Sequence, residues 1–293
     1  LNTWAKAKAE RAHHSTAPKE GVYAQAWHKA TTTCLCDKHS HNFWDKQPAN
    51  VARTIMRLRW GREYNAKHAM QIKKPYASNG QLDGICPLPR CGLRDGGGHM
   101  LGECRNPDIK SMIVKRHNDA VQLLYKAVLA SDIGGCYTIM DAGHLPGETI
   151  HDRIPGWMLP NIPETERNKM RPDLLLITGL TQREANNWSN DLRVHDKKRY
   201  TIHIFEIGYG SDTCLENKER TKLEQHTNLI TTLQKEGWTT NYTTLPLGTT
   251  GGITNNVVNA LKDRLKLTQN QVDKTCHKLH DLAIRAAHAL VRK

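Results

Sequence analysis

Three cysteines and one histidine stand close together between Cys86 and Cys104, in the stretch CPLPRCGLRDGGGHMLGEC. Their spacing, C-x4-C-x7-H-x4-C, forms two short-spaced pairs across a glycine-rich loop, which suits a tetrahedral structural zinc ion. Buried free thiols are the alternative, but they would explain neither the histidine nor the three consecutive glycines. The sequence therefore predicts a zinc knuckle whose ligands are Cys86, Cys91, His99 and Cys104.

A second group of candidate ligands, in the stretch CLCDKHSH, consists of Cys34, Cys36, His39 and His41. The spacing C-x-C-x2-H-x-H is cramped for one ion, because residues two apart rarely reach the same metal without strain. We interpret this stretch as a Cys/His-rich arm rather than as a second metal site.

Two acidic residues lie in segments that are typical of buried strands. Asp173 begins DLLLITG, directly after Pro172, and Glu206 lies within YTIHIFEIGY. The period of two along a strand places Glu206 on the same face as two isoleucines. A carboxylate in such apolar company requires a base or a metal as its partner.

The helix predicted from about Cys214 supplies that base. Lys222 shares one helical face with three leucines, so its side chain follows the apolar stripe rather than pointing into water. Lys218, one turn earlier, is the weaker candidate. Asp173 and Glu206 could hold Mg²⁺ for cleavage of a phosphodiester, and Lys222 could orient the attacking water or neutralise the charge that builds on phosphorus. A buried Glu–Lys ion pair with an unrelated aspartate explains the spacing equally well.

The order of elements indicates an α/β fold. Helical periodicity follows Pro48 and Pro107, and strand patterns then alternate with helices. We predict a basic helical arm over 1–76, the zinc knuckle over 77–107, an α/β domain over 108–267 and a C-terminal helix over 268–293. That last helix is amphipathic, which fits packing on its own domain as well as contact with a protein or RNA partner.

The net charge of +13 favours a polyanionic partner, and no apolar run is long enough to span a membrane. Residues 1–74 contain 14 Lys and Arg against 5 Asp and Glu, a net charge of +9. A solvated charged face is the alternative, but the excess of one sign favours contact with phosphates. The candidate nucleic-acid contacts in this segment are Arg53, Arg57, Arg59, Arg62, Lys67, Lys73 and Lys74.

Eight cysteines in 293 residues are too few for a disulfide scaffold, and no secretory signal is recognisable. We therefore expect an intracellular protein, of the nucleus or the mitochondrion, rather than a secreted one. The first residue is Leu1, which is expected of a fragment or of a processed product that has lost an organellar presequence.

Several motifs, in order between Arg59 and Leu267, resemble one family. They are GGGHMLGECRNPDIKSMIVKRHNDAV, MRPDLLLI, IFEIGYGSDT followed by KLEQH, and GW…LPLGTTGGI. The order is similar to the C-terminal region of early-branching, site-specific non-LTR retrotransposons. That region joins a Cys-Cys-His-Cys knuckle to a restriction-like endonuclease of the PD-(D/E)xK class.

The resemblance implies a restriction-endonuclease-like mixed sheet flanked by helices. Asp173 would be the PD aspartate, Glu206 the second acid, and Lys222 the lysine on the following helix. Simpler members of the class carry this lysine two residues after the acid, where this chain has Gly208. The RHN stretch of the family implies a role at the nucleic-acid face for Arg116, His117 and Asn118.

Two functions follow from these observations. The first is Mg²⁺-dependent DNA nicking, with a reverse transcriptase as a candidate partner, and it is favoured by the presence of all three polar positions. The second is a domesticated, non-catalytic RNA-binding subunit of a ribonucleoprotein such as an organellar ribosome, in contact with ribosomal proteins. It is favoured by the basic arm, the additional C-terminal helices and the lack of a polymerase motif.

Overall fold

A computed structural model describes residues 47–59, 70, 83–96, 98–131, 133, 136–141, 153–188, 196–212 and 214–292. The predicted arm before residue 47, with Cys34, Cys36, His39 and His41, lies outside the described residues. The helices are α1 Ala49–Arg59, α2 His99–Gly102, α3 Pro107–Leu129, α4 Glu164–Arg167, α5 Gln182–Asn186, α6 Leu215–Lys235, α7 Asn255–Asp263 and α8 Gln269–Leu290, with one 3₁₀ turn, Lys197–Arg199.

Within the described residues, four strands form one mixed sheet in the order β1-β2-β3-β4. The β1–β2 and β2–β3 pairs are antiparallel, whereas β3 and β4 run parallel. Parallel neighbours require a long crossover, and α6 provides it. The sheet confirms the predicted α/β class; its strands are β1 Cys136–Met140, β2 Leu174–Thr178, β3 Thr201–Gly210 and β4 Thr239–Gly248.

Each face of the sheet is covered by its own hydrophobic core. On one face, Phe205 and Ile207 of β3 pack with residues of α3, α7 and α8. On the other, Ile202 and Ile204 pack with Leu229 and Leu233 of α6 and with a cluster of tryptophans. Glu206 follows Ile202 and Ile204 at steps of two and therefore faces α6, as the strand period predicts.

Helix α3 begins where the sequence favours a start. The Asn106 side chain accepts hydrogen bonds from the backbone N–H groups of Asp108 and Ile109, and Pro107 occupies the first turn, where its missing N–H costs nothing. The short helices α4 and α5 lie in the two connections that flank β2. In α5, Thr181 and Glu184 form a capping box that stabilises this single turn.

The Cys/His segment packs against helices from both ends of the described chain. Its cysteines share a buried cluster with Ile55 of α1 and with Ile284 and Leu290 of α8. Helix α8 also packs along α3, so its apolar stripe covers its own chain, as the packing interpretation expects. Among the described residues, no helix is both long and apolar enough to cross a membrane.

Candidate functional site

Two neighbouring strands bring the two acids together. Leu174 of β2 pairs with Phe205 of β3, so Asp173 and Glu206 are adjacent one step further along the ladder. The Asp173 backbone N–H donates to Glu206 Oε1 over 3.0 Å, and the Ile207 N–H donates to Asp173 Oδ2 over 2.7 Å. These bonds fix both carboxylates next to each other on the two central strands.

Helix α6 places Lys222 over this pair of acids. Its Nζ lies 2.9 Å from Glu206 Oε2 and 3.2 Å from Asp173 Oδ2, so one ammonium bridges both carboxylates. The helix is held in this rotation by three buried leucines on the same face, Leu215, Leu229 and Leu233. The predicted helical stripe thus accounts for the inward direction of the lysine.

Two histidines complete the cluster. His117 Nε2 lies 3.0 Å from Asp173 Oδ1, and His226 Nε2 lies 3.0 Å from Glu206 Oε2. The family resemblance predicts a role at the nucleic-acid face for His117, whereas no motif in the sequence marks His226. The sequence does indicate that His226 lies near the acids, because it follows Lys222 by four residues on the same helical face.

Burial and the neighbouring charges act in opposite directions on the pKa values of this cluster. Burial disfavours ionisation of Asp173, but the hydrogen bond and charge of His117, with the charge of Lys222, outweigh it and lower the pKa to about 2. For Glu206, burial raises the pKa and the Asp173 charge adds to the rise, against the effects of His226 and Lys222. Burial lowers the pKa of Lys222, but the two carboxylates more than compensate and raise it. Asp173 is therefore the more readily ionised acid.

The four knuckle residues converge as the spacing predicts. Cys86, Cys91, His99 and Cys104 are all buried, and their ligand atoms lie within 4.8 Å of one another. The sulfur atoms of Cys86 and Cys104 are 4.0 Å apart, and those of Cys104 and Cys91 are 3.7 Å apart. Sulfurs at opposite ends of a tetrahedral edge around zinc lie about 3.8 Å apart. This Cys₃His cluster could bind zinc.

The cluster already contains one thiol that ionises readily. Burial opposes ionisation of Cys91, but hydrogen bonds from the backbones of Arg105 and Leu93 outweigh it and lower the pKa to about 6. Burial raises the pKa of Cys86 to about 12. Zinc binds thiolates, so metal binding at neutral pH would release the remaining protons.

Two of the basic residues predicted to contact nucleic acid, Arg59 and Arg116, are buried in the folded chain. The Arg116 side chain is only 2% exposed; it donates to the carbonyl oxygen of Leu101 and lies 4.1 Å from the centroid of the Tyr209 ring. Arg59 donates to the carbonyl of Thr250. Both guanidinium groups tie elements of the chain together through these bonds.

The other candidate contacts divide by exposure. Arg53 and Arg57 are exposed on α1, and Asn118 is half-buried on α3. Arg62, Lys67, Lys73 and Lys74 lie outside the described residues. Among the predicted basic contacts that the structure describes, Arg53 and Arg57 are therefore the ones exposed to solvent.

A scan against protein-family models finds no match for this chain, and a search of curated proteins finds no matching protein. The geometry of the described residues is consequently the basis for assigning a function.

Proposed function

We propose that this protein is a divalent-metal-dependent endonuclease that nicks DNA, derived from the restriction-like module of a non-LTR retrotransposon. The observation that carries the proposal is the position of Lys222 Nζ, within 3.2 Å of both Asp173 and Glu206. An aspartate, a glutamate and a lysine from two strands and a helix meet at one point.

The arrangement of elements supports a restriction-endonuclease-like fold. A long helix, α3, precedes three successive antiparallel strands, and a crossover helix then leads to a parallel fourth strand. The candidate acids lie on β3 and at the start of β2, in the middle of the sheet. Central strands, paired on both sides, hold such groups more rigidly than loops do.

The acids have the chemistry to hold Mg²⁺. Magnesium prefers carboxylate oxygens, keeps several waters, and is commonly held by one or two carboxylates together with phosphate oxygens of the substrate. Asp173 Oδ2 and Glu206 Oε2 both face Lys222, so a cation bound between them requires the ammonium to move aside. Lysine has four rotatable side-chain bonds, and Lys222 retains some exposure, 14% of its side chain.

A bound Mg²⁺ would polarise the phosphate and lower the pKa of a coordinated water. Asp173 and Glu206 would hold the cation, and His117 and His226 would keep the two carboxylates oriented through their hydrogen bonds. In the hydrolysis, a water oxygen bonds to phosphorus and gives up a proton while one P–O ester bond breaks, and the leaving oxygen takes up a proton in exchange.

The remaining parts of the chain would bring DNA to this site. Arg53 and Arg57 offer charge for phosphate contacts, and the Cys₃His cluster, when it holds zinc, fixes the segment between α1 and α3. Such contacts are independent of base sequence, so they would position a duplex without selecting a target.

The test is nicking of supercoiled plasmid by the purified chain, with Mg²⁺, with Ca²⁺ and with no added divalent cation. We expect conversion to the open circular form with Mg²⁺ alone. Plasmid that stays supercoiled at every Mg²⁺ concentration, while it is bound by the protein, would contradict the proposal. Equal nicking without added metal would contradict it as well.

A further inference from the structure

A second lysine lies beside the acid pair. Lys218 stands one helical turn before Lys222, on the same face of α6. Its side chain lies along β3 at Gly208, two residues after Glu206: a Cβ added to Gly208 would be 2.8 Å from Lys218 Cγ and 3.0 Å from Cε. The missing side chain at residue 208 is what leaves room for this lysine.

The same close approach continues to the end of the strand. A Cβ added to Gly210, the last residue of β3, would lie 3.2 Å from Lys218 Cβ. Glycine at both positions lets the first turns of α6 rest directly on the sheet. Lys218 is therefore held next to the acids by backbone geometry, on the side toward the carboxyl end of β3.

The two lysines differ in their partners. Lys222 is engaged by both carboxylates, at 2.9 and 3.2 Å. Lys218, within the part of the chain that the structure describes, forms no hydrogen bond or ion pair. A half-buried ammonium with neither a hydrogen bond nor an ion pair is costly to keep, whereas its charge is suited to an anion that arrives from outside.

We propose that Lys218 is a catalytic residue whose ammonium contacts the scissile phosphate, and that Lys222 is a positioning residue that holds Asp173 and Glu206. This inference rests on the proposed nuclease function. As water adds to phosphorus, negative charge grows on the non-bridging oxygens, and a fixed cation beside them stabilises the transition state. Lys222 serves as the counter-ion of the two carboxylates before the cation enters, whereas Lys218 pairs with neither acid and is available to the phosphate.

The first experiment compares Lys218→Met with the matched control Lys262→Met, an exposed lysine on α7. Methionine keeps an apolar side chain of similar length, so the packing on Gly208 is largely retained while the charge is lost. Single-turnover nicking is measured on pre-bound plasmid in Mg²⁺, binding is measured in Ca²⁺, and folding is measured by thermal melting.

We expect Lys218→Met to slow nicking about 100-fold, as loss of one transition-state donor does, with an unchanged melting temperature and binding. The control should nick like the wild type. A wild type that nicks, together with an equally active Lys218→Met, would overturn this inference and leave the proposed function standing. A wild type that binds plasmid and never nicks would overturn both.

A second experiment restores an ammonium group at this position from residue 208 of β3 instead of from α6. The three atoms nearest to a Cβ at residue 208 all belong to Lys218, so Lys218→Ala makes space for Gly208→Lys. We expect the double variant to nick at least about 10-fold faster than Lys218→Ala alone, because the ammonium again lies beside the acids. A folded double variant no faster than Lys218→Ala would overturn the assigned position of the amine.

Discussion

Replacing Lys222 with methionine should destabilise the fold, because two buried carboxylates lose their shared cation. The side chains of Lys222, Asp173 and Glu206 are 14%, 10% and 0% exposed, so water screens their charges weakly. Removal of one partner from a buried ion pair costs about 3 to 5 kcal/mol. We take the lower end, about 3 kcal/mol, since His117 and His226 still contact the acids.

That loss corresponds to a decrease in melting temperature of roughly 6 to 12 °C for a chain of this size. The assay is thermal melting followed by far-UV circular dichroism, in buffer without Mg²⁺. If excess negative charge is the cause, the double variant Lys222→Met/Glu206→Gln should be more stable than Lys222→Met by about 1 to 2 kcal/mol in the free energy of unfolding. Both single variants are measured beside it to complete the double-mutant cycle. A Lys222→Met protein that melts within about 2 °C of the wild type would refute the reasoning.

Three further outcomes follow from other parts of the structure. Arg116→Ala should lower the melting temperature, because it leaves the Leu101 carbonyl unpaired; the salt dependence of DNA binding should stay the same, and a change in that slope would show a direct phosphate contact. Replacing Arg53 and Arg57 together with glutamine should reduce the slope of log K against log salt by about 1.8, as measured by fluorescence anisotropy; an unchanged slope would remove α1 from the DNA interface. Cys104→Ser should reduce the zinc content below one ion per chain, by mass spectrometry, and lower the melting temperature; full zinc occupancy in this variant would contradict the assigned ligand set.

The parts of the site that follow from local periodicity were predictable. The period of two placed Glu206 on the face of β3 that meets α6, and the leucine stripe placed Lys222 on the inward face of α6. The spacing of the knuckle residues likewise predicted their convergence, because a short glycine-containing loop can close on itself only in a few ways.

The parts that depend on contacts distant in sequence were not predictable. In the sequence, Arg116 resembles an exposed polar residue of a helix. Its burial depends on the Leu101 carbonyl and the Tyr209 ring, which only the folded chain brings together. The neighbourhood of Asp173 and Glu206 depends on the antiparallel pairing of β2 and β3, which strand patterns alone do not specify. The contact of His117 with Asp173, across 56 positions, is of the same kind.

The central claim is that Asp173 and its partners form a metal-dependent nuclease site. Its most direct test is the single-turnover rate of plasmid nicking in Mg²⁺ by Asp173→Asn, beside the wild type and the control Asp281→Asn. Asp281 is an aspartate on α8 that pairs with the exposed Arg285. We predict that Asp173→Asn binds plasmid but does not nick it, whereas the control nicks like the wild type. Nicking by Asp173→Asn at the wild-type rate would contradict the account.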